Sequence, residues 1–199
     1  MIKDFYTAIK DRRSIYGIGK EVVVSEERIQ EVINHAVMHT PSAFNSQTAR
    51  LVILFGNNHD MLWDITKETL RKIVPEEKFA PTNEKIDSFK NGYGTVLFFE
   101  ETSIIEGLQK QFPKVKDNFP VWSQHSNGMV QLVVWTSLEM EGLGASLQHY
   151  NPLIDEEVKT KWGVPASWRL IAEMPFGKPT AAPKEKEFLP IEMRVKVFR

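Results

Sequence analysis

Two adjacent arginines and a serine stand at the end of a short helical pattern, in the stretch "DRRSIYG". Arg12, Arg13 and Ser14 could supply several hydrogen-bond donors to a phosphate, and an arginine can bind two phosphate oxygens at once. Cations also favour the carboxyl end of a helix, where the backbone dipole is negative. The residues alone therefore indicate either an anion site or an ordinary helix terminus, of which the terminus is the simpler interpretation.

A second polar stretch, "PSAFNSQ" at residues 41–47, separates a helical pattern from an apolar strand pattern. Asn and Ser commonly bond to nearby backbone groups in turns. The carboxamides of Asn45 and Gln47 can also donate and accept side by side, which suits the edge of a heterocycle that carries C=O and N–H groups. A turn and a ligand-binding segment are equally good interpretations of this stretch.

Several kinds of chemistry are excluded by what the sequence lacks. The absence of cysteine rules out a disulfide framework, a thiolate zinc site and a thiol nucleophile. The stretch "GLGASL" has Leu147 where a dinucleotide fingerprint needs its third glycine, and it follows a helix rather than a strand. His35 and His39 lie one helical turn apart and could share a metal, but no third ligand is evident, so a solvated helix face is the better interpretation.

The composition indicates one soluble domain covering residues 1–199. Twenty-five basic and 26 acidic residues give a net charge of -1, which provides no general attraction to nucleic acid or to an anionic membrane. The longest apolar runs, "LVILF" and "VLFF", are far below the ~20 residues that span a bilayer. The charged N-terminus lacks the apolar region of a secretory signal. We therefore expect a cytoplasmic protein without a nucleic-acid or membrane partner.

The elements that must position these residues follow from hydrophobic periodicity and from capping and breaking residues. The predicted helices cover residues 3–11, 25–39 with Ser25 as N-cap, 59–73 and 103–112, and a short helix opens at Pro81. The predicted strands are "RLVILF", ended by "GNNHD", then "TVLFFE", and "SWRLIAEMPFG", terminated by Pro175 and Gly177. The stretch "PKVKDNFP" is predicted to be a loop.

Two segments fit no ordinary position in a single small domain. The helix from Val121 to Leu143 is apolar on nearly every side, which predicts burial all round, either in the middle of the core or at a subunit interface. The C-terminal tail is interrupted by prolines and ends in a strand-like alternation, with Val195 and Val197 against Arg194 and Lys196. It has too little apolar content to pack alone, so we expect it to lie along another surface, such as that of a partner subunit.

Five motifs in order, "RRS", "PSAFNSQ", "GLGASLQHYNP", "AEMPFGKP" and an arginine near the C-terminus, resemble the nitroreductase family of FMN-dependent oxidoreductases. The stretches "LQHYNP" and "PIEMRVKVF" are similar to its compact Frm2-like and copper-induced group. The resemblance implies an α+β fold with a mostly antiparallel central sheet flanked by helices. It also implies a homodimer with the long helix at its interface and a C-terminal arm that adds a strand to the partner's sheet.

The same resemblance implies a site for FMN at the subunit interface. Contacts to its phosphate, ribityl chain and pyrimidine edge would come from Arg12, Arg13 and Ser14, with Arg194 as a further phosphate ligand. The neighbouring subunit would line the flavin with Pro41, Ser42, Ala43, Asn45 and Gln47. Backbone N–H groups of Leu147, Gln148 and His149 would approach flavin N5 and O4. Many relatives carry a cation near flavin O2 where this chain has Tyr16, so Arg13 is the candidate to stabilise charge there.

The implied chemistry needs no catalytic side chain, because flavin N5 carries it. NADH or NADPH would reduce the flavin, and a nitroaromatic or quinone-like oxidant would then take the electrons in a ping-pong cycle. Candidates for stacking on the oxidant are Phe44, Tyr93, Phe119, Trp122 and His149, although residues of these types more often belong to a core. The alternatives are a flavin-binding regulatory or stress-response protein with incidental reductase activity, and a dimeric scaffold without cofactor.

Overall fold

A computed structural model describes residues 3–199 and shows an α+β fold in which helices cover both faces of one antiparallel sheet. The helices are α1 Phe5–Asp11, α2 Glu26–His39, α3 Gly56–Arg71, α4 Phe79–Lys90, α5 Thr102–Gln111, α6 Phe119–Met140 and α7 Asp155–Trp162. The strands are β1 Ile18–Gly19, β2 Ala49–Phe55, β3 Gly94–Glu101, β4 Gly144–Ala145 and β5 Trp168–Pro179. The predicted fold class is confirmed.

The sheet has the order β1-β5-β3-β2, and the short β4 also pairs with β5. Successive residues of β3 point to opposite faces, as the period of two requires. Val96 and Phe98 join the core under α2 and α6, whereas Leu97 and Phe99 join a second core with α3, α4 and α7. Since both faces are covered, the central strand is apolar without alternation. In residues 3–199, β2 has a paired strand on one edge only.

The helix and strand predictions are confirmed where capping or periodicity is strong. Ser25 caps α2 by accepting a hydrogen bond from the backbone N–H of Arg28 at 3.2 Å. Asp4 caps α1 in the same way, accepting from the N–H groups of Tyr6 and Thr7. Local side-chain chemistry therefore sets where these two helices begin.

Three boundary predictions were wrong. The stretch "GNNHD" ends β2 as predicted, but the helix predicted from residue 59 already begins there, because α3 starts at Gly56 and buries His59, Leu62 and Trp63 at helical spacing. Strand β5 continues through Pro175 and Gly177 to Pro179. A Cβ at Gly177 would lie 2.5 Å from the carbonyl oxygen of Gly19, so glycine permits close strand approach here rather than ending the strand. The stretch 113–118 forms a 3-10 turn and not an irregular loop.

Helix α6 is buried on one side only. Val130, Val134 and Leu138 lie in the core, whereas Met129, Leu132, Val133 and Met140 are exposed. The prediction of a position in the middle of the core is therefore wrong for the single chain, and an exposed apolar face remains. Within residues 3–199 no helix has the length and apolar character needed to cross a membrane.

The tail from residue 180 onward is exposed apart from Pro183, which is half-buried. The strand-like alternation around Val195 and Val197 forms no strand in the described chain, and both valines are exposed. An extended segment needs a neighbouring strand to bond to, and the single chain offers none at this place. The only regular element here is the 3-10 turn Ile191–Met193.

A fully bonded polar cluster lies between α3 and β3. The Nε2 of His59 lies 3.1 Å from the carbonyl oxygen of Lys90, and its Nδ1 lies 2.8 Å from the hydroxyl of Thr95. A carbonyl only accepts, so Nε2 carries the proton and Nδ1 accepts from Thr95, whose oxygen accepts in turn from the indole N–H of Trp63 at 3.0 Å. Burial lowers the pKa of His59 to about 4.

We expect His59 to make the protein less stable in acid. Its pKa is lowered in the folded state, so the unfolded chain binds a proton first and stability falls as the pH drops from about 6.5 towards 4. The expected loss is on the order of a few kcal/mol in the free energy of unfolding. Urea unfolding of the wild type and of a variant without this histidine at pH 7 and pH 4.5 measures it as the difference between the two proteins, because the buried carboxyl group of Glu173 titrates in the same range with the opposite sign.

The substitution His59→Gln should flatten this acid dependence, because glutamine does not titrate. His35→Gln is the matched control, since His35 is exposed on α2 and should leave the dependence as it is in the wild type. Equal slopes for the His59→Gln protein and the wild type would contradict the assignment of this buried histidine.

Candidate functional site

The arginine pair, Arg12 and Arg13, directly follows the last residue of α1. The guanidinium of Arg12 lies over the ring of Trp135 on α6, 4.5 Å from its centroid. Its Nε is buried and has no hydrogen-bond partner in residues 3–199. Burial, with the nearby charge of Arg13, lowers the pKa of Arg12. The stacking fixes this cation in place and leaves donors unused.

The second arginine connects the end of α1 to the tail. The Nη2 of Arg13 donates to the carbonyl oxygen of Lys184 at 2.6 Å. Ser14 forms a bridge with Ala145 of β4, and the N–H of Ile15 donates to the same residue at 2.9 Å. These contacts place "RRS" beside β4 and the start of the tail.

The arginine pair and Ser14 line a cavity of about 510 Å³. Its other lining residues are Tyr16, Gly17, Ala181, Ala182, Pro183, Lys184 and Lys186, among which there is no acidic residue. Within residues 3–199 no carboxylate oxygen lies within 4.0 Å of either guanidinium. The cavity therefore has the cations and the open donors of an anion site.

The polar segment, residues 41–47, follows α2 and contains a 3-10 turn at Ala43–Asn45. Its backbone is strained, because φ is +59° at Phe44, +49° at Asn45 and +47° at Gln47. Such values are rare away from glycine, above all for a bulky residue such as Phe44. Strain of this kind is concentrated at functional segments.

Two contacts hold the ends of the polar segment. The N–H of Gln47 donates to the hydroxyl of Ser42 at 2.9 Å, and the N–H of Ala43 lies 3.4 Å from the hydroxyl of Ser126 on α6. The side chains of Asn45 and Gln47 are exposed, as is Pro41, while Ser42 and Ala43 are half-buried. The two carboxamides therefore remain accessible to a ligand.

The polar segment and the arginine pair line different cavities of the single chain. Pro41, Ser42 and Gln47 border a cavity of about 770 Å³ between α2 and β2. Arg12 and Arg13 border the smaller cavity, which shares no lining residue with the first. One chain alone does not bring these two groups of predicted site residues together.

An aromatic cluster lies against the polar segment. The ring of Phe44, 58% exposed, stacks on Trp122 at 5.9 Å and contacts Phe112 and Phe119 at 5.2 and 5.3 Å between centroids. Three residues of this cluster were candidates from the sequence, and Phe112 was missed.

The other two aromatic candidates lie elsewhere. Tyr93 packs on Phe55, with 6.0 Å between ring centroids, and its hydroxyl donates to Glu26. His149 is exposed beyond β4. Neither belongs to the cluster around Phe44, so the structure brings only part of the predicted set together.

The third predicted group, Leu147, Gln148 and His149, runs beside β5. The backbone of Gln148 exchanges two hydrogen bonds with Glu173, at 2.7 and 3.0 Å, and its buried side chain donates to the hydroxyl of Ser146. The bond to Glu173 already uses the Gln148 N–H. Leu147 is half-buried and His149 exposed. Since Ser14 bridges to Ala145, this segment starts next to the arginine pair.

Comparison with known proteins decides the family. The family model described as "Nitroreductase family" matches residues 9–178. The chain belongs to the nitroreductase family. The nitroreductase FRM2 of Saccharomyces cerevisiae is 35% identical over 188 residues, which are 94% of this chain and 93% of FRM2. HBN1 of the same yeast is 32% identical over 196 residues, 98% and 97% of the two chains.

Solved nitroreductases share the fold as well. The nitroreductase CinD from Lactococcus lactis, in complex with chloramphenicol, has a TM-score of 0.91 and 43% identity over 98% of this chain and 100% of CinD. The same protein was also solved with 4-nitrophenol. A nitroreductase structure from Exiguobacterium sibiricum in complex with FMN is 14% identical with a TM-score of 0.73, which shows the common fold. The protein is thus an oxidoreductase of the nitroreductase family.

Arg194 is the predicted site residue in the tail of this nitroreductase. It is not among the residues that line the cavity beside Arg12 and Arg13. It is exposed and follows the turn Ile191–Met193. In residues 3–199 its side chain makes no hydrogen bond or ion pair.

His35 and His39 are exposed with their rings 4.3 Å apart, and residues 3–199 contain no group of three or more His, Asp and Glu residues that could hold a metal.

Sequence reasoning missed two buried carboxyl groups in this nitroreductase. Glu173 on β5 accepts a hydrogen bond from the N–H of Tyr150 at 2.9 Å, and its other oxygen has no partner in residues 3–199. Burial, with the charge of Asp155, raises the pKa of Glu173 to about 8. Glu100 on β3 is equally buried. A single acidic residue inside an apolar strand, as in "LIAEMPF", is the signal that could have found Glu173.

Proposed function

We propose that the protein is an FMN-dependent NAD(P)H oxidoreductase that reduces nitroaromatic or quinone-like small molecules. The chain would form one FMN-binding domain, and two copies would hold FMN at their interface. The observation that carries the proposal is the arginine pair, which lines a cavity without acidic residues and leaves the buried Nε of Arg12 without a partner in residues 3–199. A buried, unused cationic donor is costly unless an anion completes it.

The residues present fit FMN. Arg12 and Arg13 would hold the phosphate, and the hydroxyl of Ser14, exposed beside them, would reach the ribityl chain. The FMN complex of the distant Exiguobacterium sibiricum structure indicates that this fold has room for the cofactor. When bound, FMN supplies hydride acceptance and transfer through N5.

The chain's own residues would bind, orient and exclude water. The carboxamides of Asn45 and Gln47 would bond to the polar edge of the flavin from the partner subunit. The exposed ring of Phe44, backed by Trp122, offers an aromatic surface to a planar substrate. NADH or NADPH and the oxidant would occupy the same pocket in turn, which gives ping-pong kinetics. The complexes of CinD with chloramphenicol and 4-nitrophenol support an aromatic nitro compound as the oxidant.

Three exposed surfaces of the chain support a homodimer: one face of α6, the free edge of β2 and the tail. Helix α6 presents an exposed apolar face that includes Met129, Leu132 and Val133. Strand β2 has a free edge beside the cavity of about 770 Å³. The tail carries exposed apolar side chains at Phe188, Leu189, Ile191, Met193, Val195, Val197 and Phe198. We propose that α6 pairs with its copy and that each tail covers the β2 edge of the other subunit.

We expect Leu132→Gln to weaken the dimer by at least about tenfold, because it removes apolar burial from α6 at two symmetric places. Sedimentation equilibrium over a range of protein concentrations measures the dissociation constant. Ile73→Gln is the matched control, since Ile73 is exposed at the end of α3, away from α6. If both variants associate as the wild type does, this face of α6 is not the interface.

The absorption spectrum of the purified protein and stopped-flow reduction test the function. Bound flavin should be visible, and NADH or NADPH should bleach it before an added nitroaromatic restores the colour. A flavin that neither nucleotide bleaches at a useful rate would favour the regulatory or stress-response alternative. A protein that stays colourless after incubation with FMN would favour a scaffold without cofactor.

A further inference from the structure

Glu100 is a carboxyl group with no exposed surface, near the end of β3 on the face that α6 covers. Its Oε1 accepts a hydrogen bond from the side-chain amide of Asn127 at 2.7 Å. Asn127 also donates to the carbonyl oxygen of Phe99 at 3.1 Å and accepts from Gln131 at 2.6 Å. The carboxyl group is therefore tied to two successive turns of α6.

The other oxygen of Glu100 is buried near the end of the polar segment, because Ala49 pairs with Glu100 across β2 and β3. Oε2 of Glu100 and the hydroxyl of Thr48 are both buried without a hydrogen-bond partner in residues 3–199. The hydroxyls of Thr48 and Ser123 lie near enough to oppose the increase that burial causes in the pKa of Glu100, and Arg169 opposes it more weakly. Thr48 directly follows the polar segment, and its carbonyl oxygen accepts from the N–H of Glu101 at 2.9 Å.

The polar segment is attached to α6 at one end and to β3 at the other. At its start the N–H of Ala43 meets the hydroxyl of Ser126 on α6, and at its end the carbonyl oxygen of Thr48 accepts from the N–H of Glu101 on β3. The hydrogen bond between Glu100 and Asn127 joins α6 to β3 beside both attachments. Between these attachments lie the residues with positive φ, Phe44, Asn45 and Gln47. A strained backbone persists only where its surroundings over-determine it, and no glycine is present here to relieve the strain.

We infer that Glu100 is a positioning residue, which together with Asn127 keeps residues 43–48 in their strained conformation and so orients Asn45 and Gln47 towards the ligand. The inference deepens the proposed function and rests on it for the identity of that ligand. Glu100 touches no reacting atom, and its effect passes through the junction of α6 and β3, to which the two ends of the polar segment are attached.

The test compares three variants with the wild type. Glu100→Ala removes the bond that joins β3 to α6, and hydrogen exchange of the amides in residues 41–50 should become at least tenfold faster, with FMN affinity about tenfold weaker. Glu100→Gln should restore both values, because its amide oxygen can still accept from Asn127. Asn127→Leu removes the same bond from the side of α6 and should accelerate exchange about threefold, even if Glu100→Ala does not fold.

The matched control is Glu101→Ala on the neighbouring residue of β3. The carboxylate of Glu101 caps α5 through Ser103 and does not reach the polar segment, so exchange should rise only at the start of α5. Unchanged exchange in 41–50 for both Glu100→Ala and Asn127→Leu would overturn the inference, as would Glu100→Gln remaining as fast as Glu100→Ala. Since exchange is measured without FMN, a wild type that fails to bind FMN contradicts the proposed function separately.

Discussion

FMN should bind about tenfold to a hundredfold more weakly to the Arg12→Ala protein than to the wild type. A charged hydrogen bond to a phosphate contributes about 1.5–3 kcal/mol, and the buried Nε of Arg12 has no competing partner in residues 3–199. The substitution also removes the stacking on Trp135 that fixes the guanidinium. Titration of the apoprotein with FMN, followed by quenching of flavin fluorescence, gives the dissociation constant.

Two further variants show whether the charge of Arg12 is enough for FMN binding and whether the effect is specific to this arginine. Arg12→Lys keeps the charge but loses the planar, two-pronged contact, so its affinity should lie between those of the wild type and Arg12→Ala. Arg71→Ala removes a guanidinium that lies 4.4 Å from the ring of Phe79 at the end of α3, and it should leave FMN binding unchanged. An Arg12→Ala protein with wild-type affinity would count against the phosphate assignment.

Above neutral pH the protein should lose stability because of Glu173. Burial raises its pKa to about 8 in the folded state, from an ordinary value of 4.5. Between these pH values the folded chain holds a proton that the unfolded chain has released, so stability falls as the pH rises. The slope approaches about 1.4 kcal/mol per pH unit. Between pH 6.5 and pH 8 we expect Glu173 to cause a loss of roughly 1 to 2 kcal/mol.

Urea unfolding at several pH values in this window measures the slope. Glu173→Gln should remove it, since an amide can still accept from the N–H of Tyr150 but does not ionise. Glu192→Gln is the control, because Glu192 is exposed in the tail and should change nothing. If the Glu173→Gln protein keeps the wild-type slope, another group titrates there.

Glu173 also supports one segment of the proposed flavin site. Its backbone holds Gln148 and its carboxyl group holds Tyr150, so the segment after β4 is attached to this one residue at two places. Both buried carboxyl groups, Glu100 on β3 and Glu173 on β5, thus have one oxygen bonded to protein and one without a partner in residues 3–199. Through Glu100 the sheet supports the polar segment, and through Glu173 it supports residues 147–149. These are two of the three segments predicted to contact the flavin.

The sequence by itself determined what depends on neighbours along the chain. Helix starts such as that at Ser25 follow from one side chain bonding to a nearby N–H, and the apolar runs of β2 and β3 follow from burial on both faces. The order of five short motifs was enough to identify the family, because each keeps its place along the chain. The arginine pair was also recognisable, since adjacent cations need no tertiary contact to be seen.

Only the tertiary structure decided what depends on residues far apart in sequence. The positive φ of Phe44 has no signal in its own stretch, because contacts with α6 impose it. The exposed side of α6, the burial of Glu100 and the continuation of β5 through Pro175 likewise depend on which surfaces meet. Periodicity reports how apolar a face is, but the free energy of burying a group depends on the partners that folding brings to it.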